Sequence, residues 1–394
     1  MTAYLDHAAT TPLRPEALEA MLPLLTTDFG NPSSAHAPGR SARAALDDAR
    51  ARFAAAIGAQ PREVVFTSSG TEATNLAIKG AGWAAKSRGH RILCTAVEHH
   101  ATLNTVRYLE KFGFEVVELP VDRYGRLDPE HLTAALHDRT TVVSIILANN
   151  EVGTIQPIAE LIRRIREHRG VLVHLDAIQA APYLPIDVQE LDADLISFSA
   201  HKFEGPKGTG ALWIRHGTAL LPQTQGGAQE RYRRSGTENV AGAVGMAVAY
   251  ELNRRERLEV TKRLRRLRDR LKETVVGLPG VELTGHPRDR LPGHLSVIVR
   301  DAEGESIALA LDLEGIACST GSACTTGSRE VSHVLSAMGY PEEEARGALR
   351  LSVGRTTSDD EVEEARAVIP GVIERIRTAL GALAVDPLGE GLRA

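Results

Sequence analysis

Cysteine is scarce in this chain: 394 residues hold three thiols, Cys94, Cys318 and Cys324. So odd and sparse a set provides no disulfide framework. Neither Cys-x-x-Cys nor His-x-x-x-His spacing occurs, so no structural metal site is expected. Long apolar runs are also missing, and nothing approaches the roughly 18 residues a membrane span needs. Charge of one sign is lacking too: the net charge is −5 and the isoelectric point about 6.3. No global field therefore favours nucleic acid or an anionic membrane. The opening residues, Met1 to His7, lack the basic start and apolar core of a signal peptide, and the expected location is cytoplasmic.

What is present suits a globular enzyme of two domains, with 43% apolar and 25% charged residues. Strands are predicted at Glu63–Thr67, Arg91–Thr95, Glu115–Leu119, Val142–Leu147, Val171–Leu175, Leu195–Phe198 and Gly210–Ile214. Most are continuous apolar runs, as in central strands covered on both faces. Helical patterns fall between them. Asp128-Pro129 opens one helix as N-cap and first-turn proline, and Leu161, Ile162 and Ile165 mark the inner face of another. The fold class is therefore α/β, a mostly parallel seven-stranded sheet flanked by helices. From about residue 250 the pattern changes. Val260, Leu264, Leu267 and Leu271 form the apolar stripe of a long helix rich in arginine, whose basic face is expected to be solvated. Strand-like Leu295–Val299 and Leu349–Val353 follow. A last helix starts at Ser358 with Glu361 as its capping box, and Pro370-Gly371 is expected to kink or divide it. This second region reads as a smaller α+β domain.

Several candidate site residues lie at strand ends. Lys202 closes the run Asp194–Lys202, and Asp176 closes Val171–Asp176. An ammonium and a carboxylate so placed suit an electron-poor ring, as in pyridoxal phosphate (PLP). That cofactor needs a lysine for its aldehyde and an acid to keep its ring nitrogen protonated. A lone lysine at a strand end would otherwise be an ordinary solvated loop residue. Val64–Asn75 runs from a strand through Ser68, Ser69, Gly70 and Thr71 into a helix, which makes either a phosphate cup or simply a capped helix. It is neither a Walker loop nor a Gly-x-Gly-x-x-Gly turn. His99, after a strand, can stack on a ring and move protons, or can be a hydrogen-bonded loop histidine. Asn150 likewise follows a strand, where its amide can bond a ring hydroxyl. Cys324 lies among glycines and small polar residues, as a reactive exposed thiol would, whereas Cys318 and Cys94 are expected to be packed.

Taken together these motifs resemble one family, the cysteine desulfurases of the NifS/IscS type, class V aminotransferase-like PLP enzymes of fold type I. The resemblance runs nearly end to end. It covers Tyr4–Thr11, Phe29–Ser34, Ser69-Gly70-Thr71-Glu72, Glu98-His99, Asn149–Glu151, Asp176–Gln179, Ser199–Lys202, Arg234–Thr237, Ser319–Cys324 and Arg355. The long cysteine loop is similar to that of group I members. The family's architecture implies a large PLP-binding domain over residues 15–250. Residues 1–14 and 251–394 would then form the small domain that carries the Cys324 loop.

The resemblance implies a role for each matching residue. Lys202 would be the Schiff-base lysine, Asp176 the pyridinium partner, and His99 the ring-stacking proton carrier. Asn150 and Gln179 would contact the ring hydroxyl region. Gly70, Thr71, Ser199 and His201 would hold the phosphate, joined by Thr237 from the second subunit of a homodimer. Asn31 and Arg355 would take the substrate carboxylate, and Cys324 the sulfur. The implied reaction converts L-cysteine to L-alanine, leaving a persulfide for an acceptor protein, either an iron–sulfur scaffold or a tRNA-thiolation enzyme. The longer tail by which housekeeping members hold a scaffold is not expected beyond Val385–Leu388, which leaves the acceptor open. The rivals are a selenocysteine lyase or other fold-type I aminotransferase, and a non-catalytic sulfur-handling scaffold.

Overall fold

Nine of the apolar runs become strands close to where the sequence places them. The computed structural model describes residues 3–321 and 331–385. Its strands are β1 (Ala3–Tyr4), β2 (Val64–Thr67), β3 (Arg91–Thr95), β4 (Glu115–Leu119), β5 (Thr140–Ile146) and β6 (Leu172–Asp176). They continue with β7 (Leu195–Ser199), β8 (Gly210–Ile214), β9 (Val281–Leu283), β10 (His294–Val299), β11 (Ile316–Ala317) and β12 (Ala348–Ser352). Seven of them form one sheet in the order β2-β8-β7-β6-β5-β3-β4. Every pairing is parallel except the two made by β8, which runs antiparallel to β2 and β7. Strands β5, β7 and β8 are buried along their whole length, which explains why they read as unbroken apolar runs.

The three central parallel strands end side by side, and their ends carry the chemistry. The chain is only 4% aromatic, yet Phe53, Phe198, Phe203 and Tyr250 gather under the turn after β7. Ring centroids there lie 5.0 to 5.3 Å apart in the three closest pairs. Such pairs each contribute about 0.5–1.5 kcal/mol beyond area burial. Because Phe198 and Phe203 flank Ser199–Lys202, this cluster anchors the lysine turn on both sides.

The smaller lobe has an antiparallel sheet in the order β12-β10-β9, while β1 pairs in parallel with β11. The helix Val240–Val276 runs unbroken for 37 residues, through the point where the sequence pattern changes. What changes there is burial. From Val240 to Tyr250 nearly every side chain is covered, whereas beyond it the buried leucines and Val275 recur on one stripe, at Leu264, Leu267, Leu271 and Val275. The basic face of that second half is not simply solvated. Arg266 and Arg270 pair with Asp359, Arg270 also with Glu363, and Arg263 donates to the carbonyls of Thr357 and Arg355. The last helix, Asp359–Val385, has the expected capping box, with Ser358 N–H donating to Glu361 and Glu361 N–H to Ser358 Oγ. It is not divided at Pro370. Burial of Ile369, Val372 and Ile373 around that position offsets the roughly 3 kcal/mol a helical proline costs. Among the described residues no helix is long and apolar enough to cross a membrane.

Candidate active site

Asp176 is the last residue of β6, 2% exposed, with Oδ1 accepting from Ile178 N–H at 2.9 Å. Burial pushes its carboxyl up to about 6, against the opposing pull of the Ile178 N–H and of Lys202. It is therefore anionic at neutral pH. One strand over, β7 ends at Ser199 and turns through Ala200-His201-Lys202. Lys202 Nζ donates to the carbonyl oxygens of Ala8 at 2.6 Å and Ala9 at 2.9 Å. Behind this front row lies a second polar row on the same face. His174 bridges Ser144 of β5 and Ser197 of β7 at 2.8 Å on either side. Complete burial drives His174 down to about 3, so it adds no charge beside Asp176.

The turn after β2 makes the cup. Ser69 caps the helix Gly70–Ala85, its Oγ accepting from Glu72 N–H at 3.1 Å. A Cβ on Gly70 would sit 2.3 Å from Ile178 Cδ1 and 3.0 Å from Ser199 Cβ, so only glycine lets this helix start approach the sheet. Glu72 accepts from Ser68 N–H at 2.6 Å and from Arg234 Nε at 2.8 Å, which ties the Arg234–Thr237 segment to the cup. His201 Nδ1 lies 3.1 Å from Thr10 Oγ1, and burial plus Lys202 and Lys207 lower its pKa to about 4.

His99 caps the next helix, His100–Glu110, with Nδ1 accepting from Ala101 N–H at 3.0 Å. Burial first, then Lys202, His100 and His333, lower it to about 4. It is a neutral ring with hydrogen on Nε2. Together Gly70, Thr71, His99, Asn150, Asp176, Gln179, Ser199, His201 and Lys202 wall one cavity of about 540 Å³. Nine expected residues thus converge. The cavity fits PLP: a helix N-terminus and hydroxyls lie along its wall for a phosphate, with a buried anion for a ring nitrogen. Gln179 Oε1, buried and without a partner among the described residues, leaves an acceptor open for a cofactor hydroxyl.

Other expected residues do not join it. Asn31 is exposed, its Oδ1 accepting from Ser33 N–H, and Thr237 is exposed as well. Arg355 instead lines, with Lys202, a separate cavity of about 20 Å³, where Nε donates to Glu204 at 2.6 Å. Cys324 lies outside the described residues. The two other thiols are packed: Cys94 is fully buried, its pKa raised well above the usual thiol value. Burial and the nearby Asp6 push Cys318 up to about 12.

Four further residues in or behind the cavity wall were given no role by the sequence reading. Arg350, 2% exposed, lines the cavity and donates to Asp6 at 2.8 Å and to the carbonyl oxygen of Asn150 at 2.9 Å. Its signal was an arginine inside the apolar strand Ala348–Ser352. Glu98 is fully buried, accepts from Thr95 Oγ1 and Ile146 N–H at 2.7 Å each, and is pushed up to about 8 by burial. Glu151, already part of the Asn149–Glu151 motif, and His333 also line the cavity; nothing in the local pattern marks His333.

Known proteins share this architecture along its length. The aminotransferase class-V family model matches residues 3–364. A curated relative from Methanosarcina thermophila, cysteine desulfurase IscS, is 48% identical over 374 residues, covering 95% of this chain and 92% of that protein. A solved NifS-like protein superposes with a TM-score of 0.88 at 36% identity, covering 97% of this chain and 100% of the other. The structure of SspA in complex with cysteine matches with a TM-score of 0.79 at 31% identity, over 90% of this chain and 100% of that one.

Proposed function

Because the chain belongs to the class-V aminotransferase family, as a PLP-dependent cysteine desulfurase, we propose that the cavity between β5, β6 and β7 converts L-cysteine to L-alanine and passes the sulfur to Cys324. The observation that carries this reading is the pair Asp176 and Lys202 at adjacent strand ends, opening into one cavity with the helix start at Gly70.

In this reading Lys202 holds the cofactor aldehyde, Asp176 its ring nitrogen, and Asn150 and Gln179 its ring hydroxyl. Gly70, Thr71, Ser199 and His201 hold the phosphate, with Thr237 arriving from a second copy of the chain. When bound, PLP supplies an electron sink for charge released at the substrate's α-carbon. Asp176 is ionised at neutral pH and so keeps a positive ring nitrogen in place. The neutral His99 ring can cover the cofactor without adding charge of its own. Lys202 Nζ moves the α-proton, and the carbonyls of Ala8 and Ala9 give its ammonium form a fixed resting place. Asn31 and Arg355 take the substrate carboxylate, a planar anion suited to a guanidinium fork. The thiolate of Cys324 then attacks the substrate sulfur. The carbon–sulfur bond breaks with its electron pair left on carbon, and a sulfur–sulfur bond forms on the enzyme. The cytoplasm, a homodimer, and an iron–sulfur scaffold or tRNA-thiolation enzyme as acceptor belong to the same proposal.

Cys324→Ser separates the halves of this reaction. The variant keeps the spectral change on adding L-cysteine but makes little alanine, because a serine hydroxyl attacks sulfur poorly. Mass spectrometry of the cysteine-treated parent places the added sulfur on Cys324. Added sulfur on Cys318 alone, or full alanine production by the variant, overturns the choice of nucleophile. A yellow protein that forms alanine and sulfide also excludes the non-catalytic scaffold and the simple aminotransferase.

A further inference from the structure

Two residues beyond Lys202 the backbone takes a turn that its side chain does not favour. Glu204 sits at φ +63°, in the left-handed region that a glutamate seldom adopts. It is pinned there: its N–H donates to Thr11 Oγ1 at 2.9 Å, and its carbonyl oxygen accepts from Arg14 N–H at 2.9 Å. Only 6% of the residue is exposed. A conformation held against its own preference places a group where a relaxed chain would not. Here that group is a carboxylate set between two arginines. Its Oε2 accepts from Arg355 Nε at 2.6 Å and lies 3.5 Å from Arg14 Nε.

The two arginines are not alike. The Arg14 side chain is buried and pairs also with Glu256. Arg355 keeps 33% of its side chain exposed and so has room to swing away. Glu256 and Glu16 add further negative charge around its guanidinium. An arriving substrate carboxylate would be repelled at that resting place, and the cavity of about 20 Å³ there has room for about one water. Lys202 lines both this small cavity and the large one, so the resting arginine adjoins the site without entering it.

We propose that Glu204 is a latch on Arg355, keeping the guanidinium out of the large cavity until a substrate carboxylate takes the place of its own. The inference rests on Arg355 being the ligand of that carboxylate. One carboxylate is exchanged for another, so the arginine is never left without an anion. Glu204 does not follow, because its turn and Arg14 hold it. The apparent affinity for substrate is then the intrinsic affinity reduced by the fraction of released arginine. Glu204 is a positioning residue, and a ligand without a carboxylate gains nothing from opening the latch.

The test uses the full-length holoenzyme with Glu204→Gln, which keeps an acceptor for Arg355 but removes the charge. KM for L-cysteine should fall about tenfold, with kcat changed by less than about twofold. The midpoint of the spectral change with L-alanine, which has no sulfur to transfer, should fall by the same factor. Glu204→Ala should shift both in the same direction. The midpoint with cysteamine, an amine thiol without a carboxylate, should not move. Arg355→Gln should raise the KM and the L-alanine midpoint, and adding Glu204→Gln to it should change neither further. An unchanged or higher KM in Glu204→Gln, an equal shift for cysteamine, or the same shift in the Arg355→Gln background would each overturn the latch. A parent-like KM and L-alanine midpoint in Arg355→Gln would overturn the reading of Arg355 as the carboxylate ligand, and the latch with it.

Discussion

The floor of the pocket and its rim are built by opposite rules. Ile146, Asp176 and Ser199 are the terminal residues of three hydrogen-bonded neighbouring strands, and Ser144, His174 and Ser197 repeat the pattern one row back. Their positions follow from sheet register, and desolvation is the cost: His174 falls to about 3 while Asp176 rises to about 6. The residues that the proposed reading assigns to its rim lie outside that cavity: Asn31 and Thr237 are exposed and Arg355 is engaged with Glu204. Strand ends deliver charge at fixed points in a dry site. Asn31 and Thr237 remain solvated, and in the proposed reading they serve the site only when substrate or a second copy meets them.

The largest effect expected at the floor is that of Lys202→Ala, which removes both the proposed aldehyde anchor and the proposed α-proton carrier. Turnover should drop below detection and the yellow colour should fade, as read by alanine assay and absorbance. Normal alanine production would mean that the strand-end lysine is not the reactive one. At the rim, Arg355→Lys should lose one charge-assisted contact while the cavity stays intact. KM for L-cysteine should rise roughly tenfold to hundredfold with kcat changed much less. An unchanged KM would confine Arg355 to its pair with Glu204. The smallest effect concerns the floor's hidden acid. Glu98 has its folded pKa raised from 4.5 to about 8, so its contribution to stability is full below the unfolded value and is lost as pH rises through the folded one. In the cofactor-free protein, Glu98→Gln should match the parent's Tm at about pH 5 and exceed it by a few degrees at about pH 9. Equal melting at both pH values would show that Glu98 does not titrate on folding.

The same contrast governs what could be read from the residues alone. Arg91–Thr95 and Gly210–Ile214 match their predicted bounds because buried strands need short apolar runs, and Glu115–Leu119 matches as a partly exposed edge strand with a short apolar core between two glutamates. Asp176 and Lys202 stood out as charges closing such runs. Arg350 did not, because a buried arginine is explained by acceptors remote from it in sequence, among them Asp6, Asn150 and Gly321. The helix Val240–Val276 looked like a boundary because its surroundings change along its length while its backbone does not. The arginines of its second half looked solvated because Asp359 and Glu363 lie some 90 positions away.

The two carbonyls that hold Lys202 belong to a segment whose own strand, β1, pairs only with Ile316–Ala317. Ala8 N–H is likewise held by the hydroxyl of Ser352, 344 positions later. On the ribosome, then, the segment Ala3–Thr10 waits for partners as far as 344 positions downstream. A nascent chain can form the central sheet, with Asp176 and Lys202 in place, while the wall at Ala8–Thr10 has its contacts to His201 and Lys202 but not yet those to β11 and β12. That wall gains its full set of contacts only when β11 and β12 have emerged, so full cofactor capture is expected late in biosynthesis, and chains truncated before β12 should bind PLP weakly.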